Sequence, residues 1–330
     1  MKKKHIKYLV CPTCQESLTL SAERPKDAEE VEFGNLTCVK CNAKYYIEGY
    51  IPRFVSGKNY VRGFGLEWSK HSLTQYDSYT GSNISETRFF NETRWARDLS
   101  REIILEVGCG SGRFTEQAAS TGAMVVSLDY SNAVEANYAS NGDKENVLIV
   151  QGDIYRMPLV NNSFDKLFCL GVLQHTPRME EAFLILSQYL KSGGSLVIDV
   201  YRKYGGLKGF FKTKYWVRPF TRKIPPQKLY DFVQRYVKMM WEPIKPLNKI
   251  PYFGKRLIWA LLIADYRGVY DLSERLLEEW AILDTFDMLS PTYDQPVTLK
   301  TVRGWFERAG LKQVEVDYGY NGIEGRGIKP

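Results

Sequence analysis

Five hydrophobic-rich runs, 103–107, 124–128, 147–150, 164–170 and 195–201, recur through the middle of the chain. Each is rich in Val, Ile, Leu or Phe, and most close at or next to a glycine or an acid. Apolar residues at helical spacing follow the first, second and fourth runs, over 113–121, 131–140 and 179–190. The pattern predicts strands at 103–107, 124–129, 147–151, 164–170 and 195–201, alternating with those helices. Runs apolar throughout suit strands covered on both faces, and the alternation predicts an α/β fold with a parallel sheet. Near the end of the chain, 298–309 reads as a helix stopped by Gly310, followed by strands at 312–318 and 326–329.

Outside these elements the pattern changes. Cys11-Pro12-Thr13-Cys14 and Cys38-Val39-Lys40-Cys41 are two C-x-x-C knuckles separated by 23 residues. Each pair can offer two thiolates to one ion, and four thiolates satisfy tetrahedral zinc, which predicts a structural zinc site at Cys11, Cys14, Cys38 and Cys41. Disulfides compete with this reading, and the two-residue spacing weighs against them. Glu23 to Glu32 reads as a charged, solvated loop. Cys109 and Cys169 read as small apolar fillers. The lead into the first predicted strand is aromatic, with Phe64, Trp68, His71, Tyr76 and Tyr79. Helical spacing then appears from Arg88 to Arg101, through Phe89, Phe90, Trp95, Ala96 and Leu99. The expected division is 1–56 as the cysteine domain, 57–201 as the core with a preceding cap, 202–297 as an insertion, and 298–330 as the closing helix and hairpin.

The chemistry concentrates where the first strand ends. Ile103-Ile104-Leu105-Glu106-Val107 runs into Gly108-Cys109-Gly110-Ser111-Gly112-Arg113, and the next strand stops at Asp129. Glycines at such a bend let a ligand approach the backbone, and a helix start behind them offers N–H groups to an anion. An acid ending the second strand suits the hydroxyls of a ribose. Together these predict a nucleoside-type cofactor. Arg113 stands where the dinucleotide fingerprint needs its third glycine.

The string Glu106 to Gly112 resembles the first motif of class I S-adenosylmethionine-dependent methyltransferases, and specifically their small-molecule and quinone-type branch. Three further stretches extend the resemblance: Gln151-Gly152-Asp153-Ile154, the segment Ser163–Phe168 with Leu170-Gly171-Val172-Leu173-Gln174-His175, and Leu190–Ile198. The resemblance implies a Rossmann-like, seven-stranded sheet with helices on both faces and a helical lid before the last helix and hairpin. It also implies S-adenosylmethionine as cofactor. Glu106, Gly108, Cys109, Gly110 and Gly112 would hold its methionyl end, Asp129 its ribose, and Asp153 and Ile154 its base, with Tyr130 and Leu170 alongside. Asp129 has a weak rival reading as a helix cap, Asp153 as a plain turn residue, and Glu106 as a loop brace. Cys41 to Pro52 resembles the second half of the small zinc-ribbon activators of tRNA and rRNA methyltransferases.

The chain has three histidines. His175 follows the fourth strand, where a general base for an O–H or N–H nucleophile would stand; the competing reading is a structural hydrogen-bonder. His5 reads as a surface residue of a flexible terminus, and His71 as a packing or lid residue. Ser290 to Pro296 reads as a rigid loop offering carboxylates and a phenol to substrate, or as a plain connection.

Charge changes the picture of the acceptor. The net charge of +7 comes from one segment: 202–260 holds 15 Lys and Arg against Asp231 and Glu242, with 13 aromatic residues. An anionic partner is expected. The favoured reaction is methyl transfer to a hydroxyl or amine of a small-molecule, sugar or lipid-linked anionic acceptor. RNA methylation is the alternative, because a zinc ribbon with a basic aromatic segment can bind nucleic acid. A non-catalytic binding module is disfavoured by the intact glycine loop and acids. Leu207 to Trp216 also suits an interfacial helix, so peripheral membrane contact is a further expectation. No apolar run reaches transmembrane or signal-peptide length, and with the metal-type cysteines this predicts a reducing, cytoplasmic setting.

Overall fold

A computed structural model describes residues 1–22, 29–55, 61–206, 212–251 and 253–330. The strands are β1 (Leu18–Ala22), β2 (Gly34–Cys38), β3 (Lys44–Glu48), β4 (Ile51–Arg53), β5 (Ile103–Val107), β6 (Met124–Asp129), β7 (Val147–Gln151), β8 (Phe164–Leu170), β9 (Leu190–Val200), β10 (Lys312–Tyr318) and β11 (Ile323–Ile328). The helices are α1 (Arg62–Lys70), α2 (Asp77–Thr80), α3 (Ile84–Thr93), α4 (Arg113–Ser120), α5 (Val134–Asn141), α6 (Met179–Tyr189), α7 (Lys214–Thr221), α8 (Pro226–Trp241), α9 (Gly254–Ala260), α10 (Glu274–Leu289) and α11 (Leu299–Arg308).

The strands form one sheet in the order β1-β2-β3-β4-β7-β6-β5-β8-β9-β11-β10. From β4 through β9 neighbouring strands pair in parallel, and β1–β4 and β9–β11–β10 pair antiparallel. The sheet has eleven strands where seven were expected. The four N-terminal strands extend it, because Arg53 of β4 registers with Gln151 of β7 and the Phe54 N–H donates to the Gln151 carbonyl at 2.8 Å. From β5 the chain builds β6 and β7 to one side, then crosses to β8 and β9 on the other. The order therefore reverses between β5 and β8, and in open α/β sheets ligands bind beyond the carboxyl ends of the strands at such a switch.

Alternate residues of the buried strands feed opposite faces. Leu105, Val107, Val126, Leu128 and Ile198 join one apolar cluster with Phe183 of α6 and Phe306 of α11. Ile104, Val125, Phe168 and Val197 join another with Phe89 of α3 and Phe114 of α4. Both faces of the central strands are thus apolar, which explains why their sequences read as continuous hydrophobic runs.

The chain divides into two compact units. The first comprises 1–59, 87–202 and 293–330, and the second 60–86 and 203–292. A break does fall near the expected boundary, after residue 59, but the cysteine region is grouped with the sheet and is not a unit of its own. The aromatic stretch 60–86 groups with the insertion instead. The second unit has its own core, in which Leu229, Tyr230, Val233 and Val237 of α8 pack with Leu277, Ala281 and Phe286 of α10.

Three further expectations are corrected. Helical spacing continued to Arg101, but α3 ends at Thr93, where Arg94 takes a positive φ of 56°. The strand expected from Ser195 begins at Leu190, straight after α6. His5 is buried in a short 3₁₀ helix, Lys3–Tyr8, and burial lowers its pKa to about 4, so it is no surface residue. His71 is a packing residue of the second unit, its Nε2 2.8 Å from the Tyr230 hydroxyl. Residues 23–28 of the charged loop and 207–211 of the expected interfacial helix lie outside the described residues.

Candidate cofactor and acceptor site

The glycine loop between β5 and α4 is shaped by backbone conformation. Gly108, Gly110 and Gly112 all have positive φ, at 83°, 53° and 95°. At Gly108 space as well as φ demands glycine: a Cβ there would lie 2.2 Å from Val172 Cγ2. The loop is not a row of open N–H groups, contrary to the simplest reading of its sequence. Gly108 and Cys109 donate to the Leu128 carbonyl at 2.7 and 3.1 Å, and Gly112 donates to the Cys109 carbonyl at 2.9 Å. What it offers is bare backbone.

Asp129, at the end of β6, grips this loop. Its Oδ2 accepts from the Gly110 N–H at 2.9 Å, and its Oδ1 accepts from the Ser131 N–H and hydroxyl, each at 2.7 Å. Burial raises its pKa, and these donors pull the other way. Asp129 caps no helix, since α5 starts at Val134 with no side-chain cap; its contacts brace the glycine loop and the turn to Ser131. Tyr130 is half-buried, and burial with the charge of Asp153 raises its pKa. Asp153 itself sits in a turn and accepts from the Tyr155 N–H at 2.9 Å. Ile154 and Leu170 are buried beside these strand ends.

Glu106 is a brace. Its Oε2 accepts from the Thr115 hydroxyl at 2.5 Å and the Ser127 hydroxyl at 2.7 Å, which ties β5 to α4 and β6. Burial pushes its pKa up to about 7 against the pull of those two donors. Cys109 is buried and its thiol is pushed well above its ordinary value, as suits an apolar filler.

The lip after β8 was only partly legible. His175 is buried in a single 3₁₀ turn, Leu173–His175. Its Nδ1 lies 2.8 Å from the Tyr293 carbonyl, and its ring meets the edge of Tyr201 at 5.5 Å and 90°. A carbonyl only accepts, so Nδ1 is the donor of this contact, which fixes the orientation of the ring. Tyr293 belongs to the loop read from the sequence as substrate-binding or connecting. Next to His175, Gln174 is wholly buried, and its amide oxygen and nitrogen have no hydrogen-bond partner among the described residues.

Sequence reasoning missed a buried charge cluster under the same lip. Arg88 of α3 donates through Nε to Glu92 at 2.6 Å and through a terminal nitrogen to Asp199 at 2.5 Å. The other oxygen of Asp199 accepts from the Gly171 N–H, which fixes the backbone where β8 ends. The Arg88 guanidinium also lies over the rings of Phe114 and Tyr320, at 5.3 and 4.9 Å. Burial raises the pKa of Glu92. The available signal was an aspartate inside the apolar run Leu196 to Val200.

At the N-terminus the four thiols converge. Cys11, Cys14, Cys38 and Cys41 present sulfurs all within 4.8 Å of one another, at 3.4, 3.6 and 3.7 Å for three of the pairs. Zinc–sulfur bonds of about 2.3 Å in a tetrahedron imply sulfur–sulfur edges of about 3.8 Å, so the donor set fits that ion. None of the four is disulfide-bonded.

Residues 105–198 match the family model of the methyltransferase domain. Among curated proteins the chain is similar to an uncharacterised chloroplastic methyltransferase of Arabidopsis thaliana, 23% identical over 71% of this chain and 70% of that one. It is 28% identical to a sterol 24-C-methyltransferase of Saccharomyces cerevisiae, over 37% of each chain. A tRNA U34 carboxymethyltransferase of Vibrio cholerae is 25% identical, over 67% of this chain and 65% of that one. The shared part is thus little more than a third of the yeast enzyme and just under two thirds of the Vibrio enzyme.

Proposed function

We propose, from the match of residues 105–198 to the methyltransferase-domain model, that this chain is a class I S-adenosylmethionine-dependent methyltransferase acting on a hydroxyl or amine of a small-molecule, sugar or lipid-linked anionic acceptor. Bound S-adenosylmethionine would supply an electrophilic methyl group on a sulfonium. Around it, the residues of this chain have separate tasks. The bare backbone of Gly108 to Gly112 receives the methionyl end and Asp129 takes the ribose hydroxyls. Asp153 and Ile154 take the base, with Tyr130 and Leu170 alongside, and Glu106 stiffens the loop. Buried Ile154 and Leu170 help to exclude water, and positioning supplies most of the acceleration.

One observation carries the choice of nucleophile. His175 Nδ1–H donates to the Tyr293 carbonyl, 2.8 Å away, which fixes the ring at the lip, and Nε2 is the nitrogen assigned here to the acceptor. A base of this kind serves an O–H or N–H acceptor and has no task in transfer to a nucleophile that carries no proton. The four thiols of the N-terminal region hold a structural zinc ion and leave it no open position for substrate.

The test uses methyl-labelled S-adenosylmethionine with fractionated cell extract. Label entering a small-molecule or lipid fraction, with turnover reduced about 10²-fold or more in His175→Gln and unchanged affinity for S-adenosylhomocysteine, supports the reading. Label entering RNA overturns the acceptor class, and undiminished turnover in His175→Gln removes the base.

A further inference from the structure

Ten of the nineteen exposed large apolar side chains among the described residues fall between Trp216 and Leu261, a stretch of 46 residues. The clustering has a pattern. On α8, Leu229, Val233, Val237 and Trp241 recur every fourth residue and are buried. Lys228, Phe232, Arg235, Tyr236 and Met239 share another face, and Phe232 and Met239 are 62% and 66% exposed. The rings of Phe232 and Tyr236 stack there at 6.0 Å. This second stripe is apolar and basic together, where a solvated helix face would be polar.

Neighbouring helices extend the same surface. The Tyr236 hydroxyl donates to the Leu261 carbonyl at 2.8 Å, bringing the end of α9 beside the α8 stripe. Exposed Leu257, Trp259 and Leu261 accompany Lys255 and Arg256 there. The Thr213 hydroxyl donates to the Ala260 carbonyl at 3.1 Å, which brings in the start of α7, whose Trp216 and Phe220 are exposed. All of these residues belong to the second compact unit.

Charge selects the occupant. The segment 202–260 carries 15 basic and two acidic residues, so a second copy of the same face would be repelled. Nucleic acid would match the charge and could stack on the aromatic rings. Met239, Leu257 and Leu261 have no flat face to offer a base, and their exposure would go unrewarded there. A bilayer surface with anionic headgroups answers both features, since lysines and arginines meet phosphates while apolar side chains enter the headgroup–acyl boundary. No helix is long and apolar enough to cross a membrane, so such contact would be peripheral. We propose that the joined faces of α7, α8 and α9 dock this protein on an anionic lipid surface. Phe232, Met239 and Leu257 enter the boundary, while Lys228, Arg235 and Lys255 lie on the phosphates. The inference stands whether or not the methyl acceptor is a lipid.

Flotation of the full chain with vesicles tests it, using phosphatidylcholine alone and phosphatidylcholine mixed with phosphatidylglycerol. Binding should require the anionic lipid and fall on adding salt. Lys228→Gln, Arg235→Gln and Lys255→Gln together should lower vesicle affinity roughly tenfold or more. Phe232→Ser with Met239→Ser should lower it by a similar factor, with thermal stability and S-adenosylhomocysteine affinity unchanged because both side chains are exposed. Equal binding to both vesicle types, or to neither, overturns the proposal. So does wild-type vesicle binding by the double serine variant, or its self-association into dimers. Tight RNA binding lost with the charges and indifferent to the serines would reassign the face to nucleic acid.

Discussion

Gly108 and Val172 stand so close that a single added methyl group at 108 would fall 2.2 Å from the Val172 Cγ2 atom. The contact joins the first turn of the glycine loop to the lip after β8, two places far apart in sequence that must meet around one ligand. Gly108→Ala should therefore suffer twice, from the clash and from a φ of 83°. A loss of roughly 2–5 kcal/mol in unfolding free energy is expected, with cofactor affinity reduced beyond detection. Adding Val172→Ala should relieve the worst of the clash and recover part of the stability, leaving the 2.9 Å approach to the residue 172 Cβ and the cost of the left-handed backbone. Denaturant melts of the two variants distinguish these contributions, and equal melts would remove the contact.

Asp129 is engaged by Gly110 and Ser131, so its substitution separates two roles. Asp129→Ala should lower stability, because two backbone donors lose their acceptor, and should weaken S-adenosylhomocysteine binding by about 1–3 kcal/mol. Asp129→Asn keeps an acceptor oxygen and should spare more of the stability than of the binding. Calorimetry and thermal melts on the same preparations check this. Wild-type affinity in the alanine variant would exclude Asp129 from the site.

Much of the core was readable because burial on both faces wrote itself as unbroken apolar runs. β5, β6, β7 and β8 have the bounds their sequences suggest. The glycine loop was legible for the same kind of reason, since positive φ and close approach leave few alternatives to glycine. What escaped depends on tertiary contact. Nothing local in Ile51-Pro52-Arg53 says that it will pair with β7 across nearly a hundred residues. His5 looked solvated because its neighbours are lysines, yet its ring is buried. Arg88 and Asp199 lie 111 residues apart, and although Asp199 interrupts an apolar run, nothing local names its partner.

Glu106 provides a pH signature. Its carboxyl moves from an ordinary 4.5 to about 7 in the folded chain, chiefly through burial. Below 4.5 both folded and unfolded chains hold the proton, and no cost arises. Between 4.5 and 7 the unfolded chain releases a proton that the folded chain keeps, so stability falls as pH rises. The full cost, on the order of 3 kcal/mol, is reached above 7. Glu106→Gln can still accept from Thr115 and Ser127 and has no such titration. The stability difference between wild type and variant should therefore shift in favour of the variant across that window, measured by urea unfolding at successive pH values. A difference independent of pH would mean that the carboxyl keeps an ordinary pKa.

The Arg88–Asp199 pair makes the sharpest case for coupling between buried charge and the acceptor lip. Both groups are buried, and Asp199 also holds the Gly171 N–H through its second oxygen. Arg88 is also paired with buried Glu92, so the two ends of the cluster are not equivalent. Arg88→Met leaves Glu92 and Asp199 buried without their cation and should cost about 3–5 kcal/mol, whereas Asp199→Ala leaves Arg88 its pair with Glu92 and should cost less. Replacing both, as Arg88→Met with Asp199→Leu, should be less damaging than the sum of the two, since only Glu92 is then left buried without its cation. Stability and function should separate in that double variant. The Gly171 N–H loses its acceptor, so the turn after β8 loosens and turnover should remain depressed although the protein is folded. Asp199→Asn, which can still accept from Gly171, should retain more turnover than the double variant. Chemical unfolding paired with turnover on the same samples decides the matter: if turnover followed stability across all four proteins, Asp199 would be a structural residue alone.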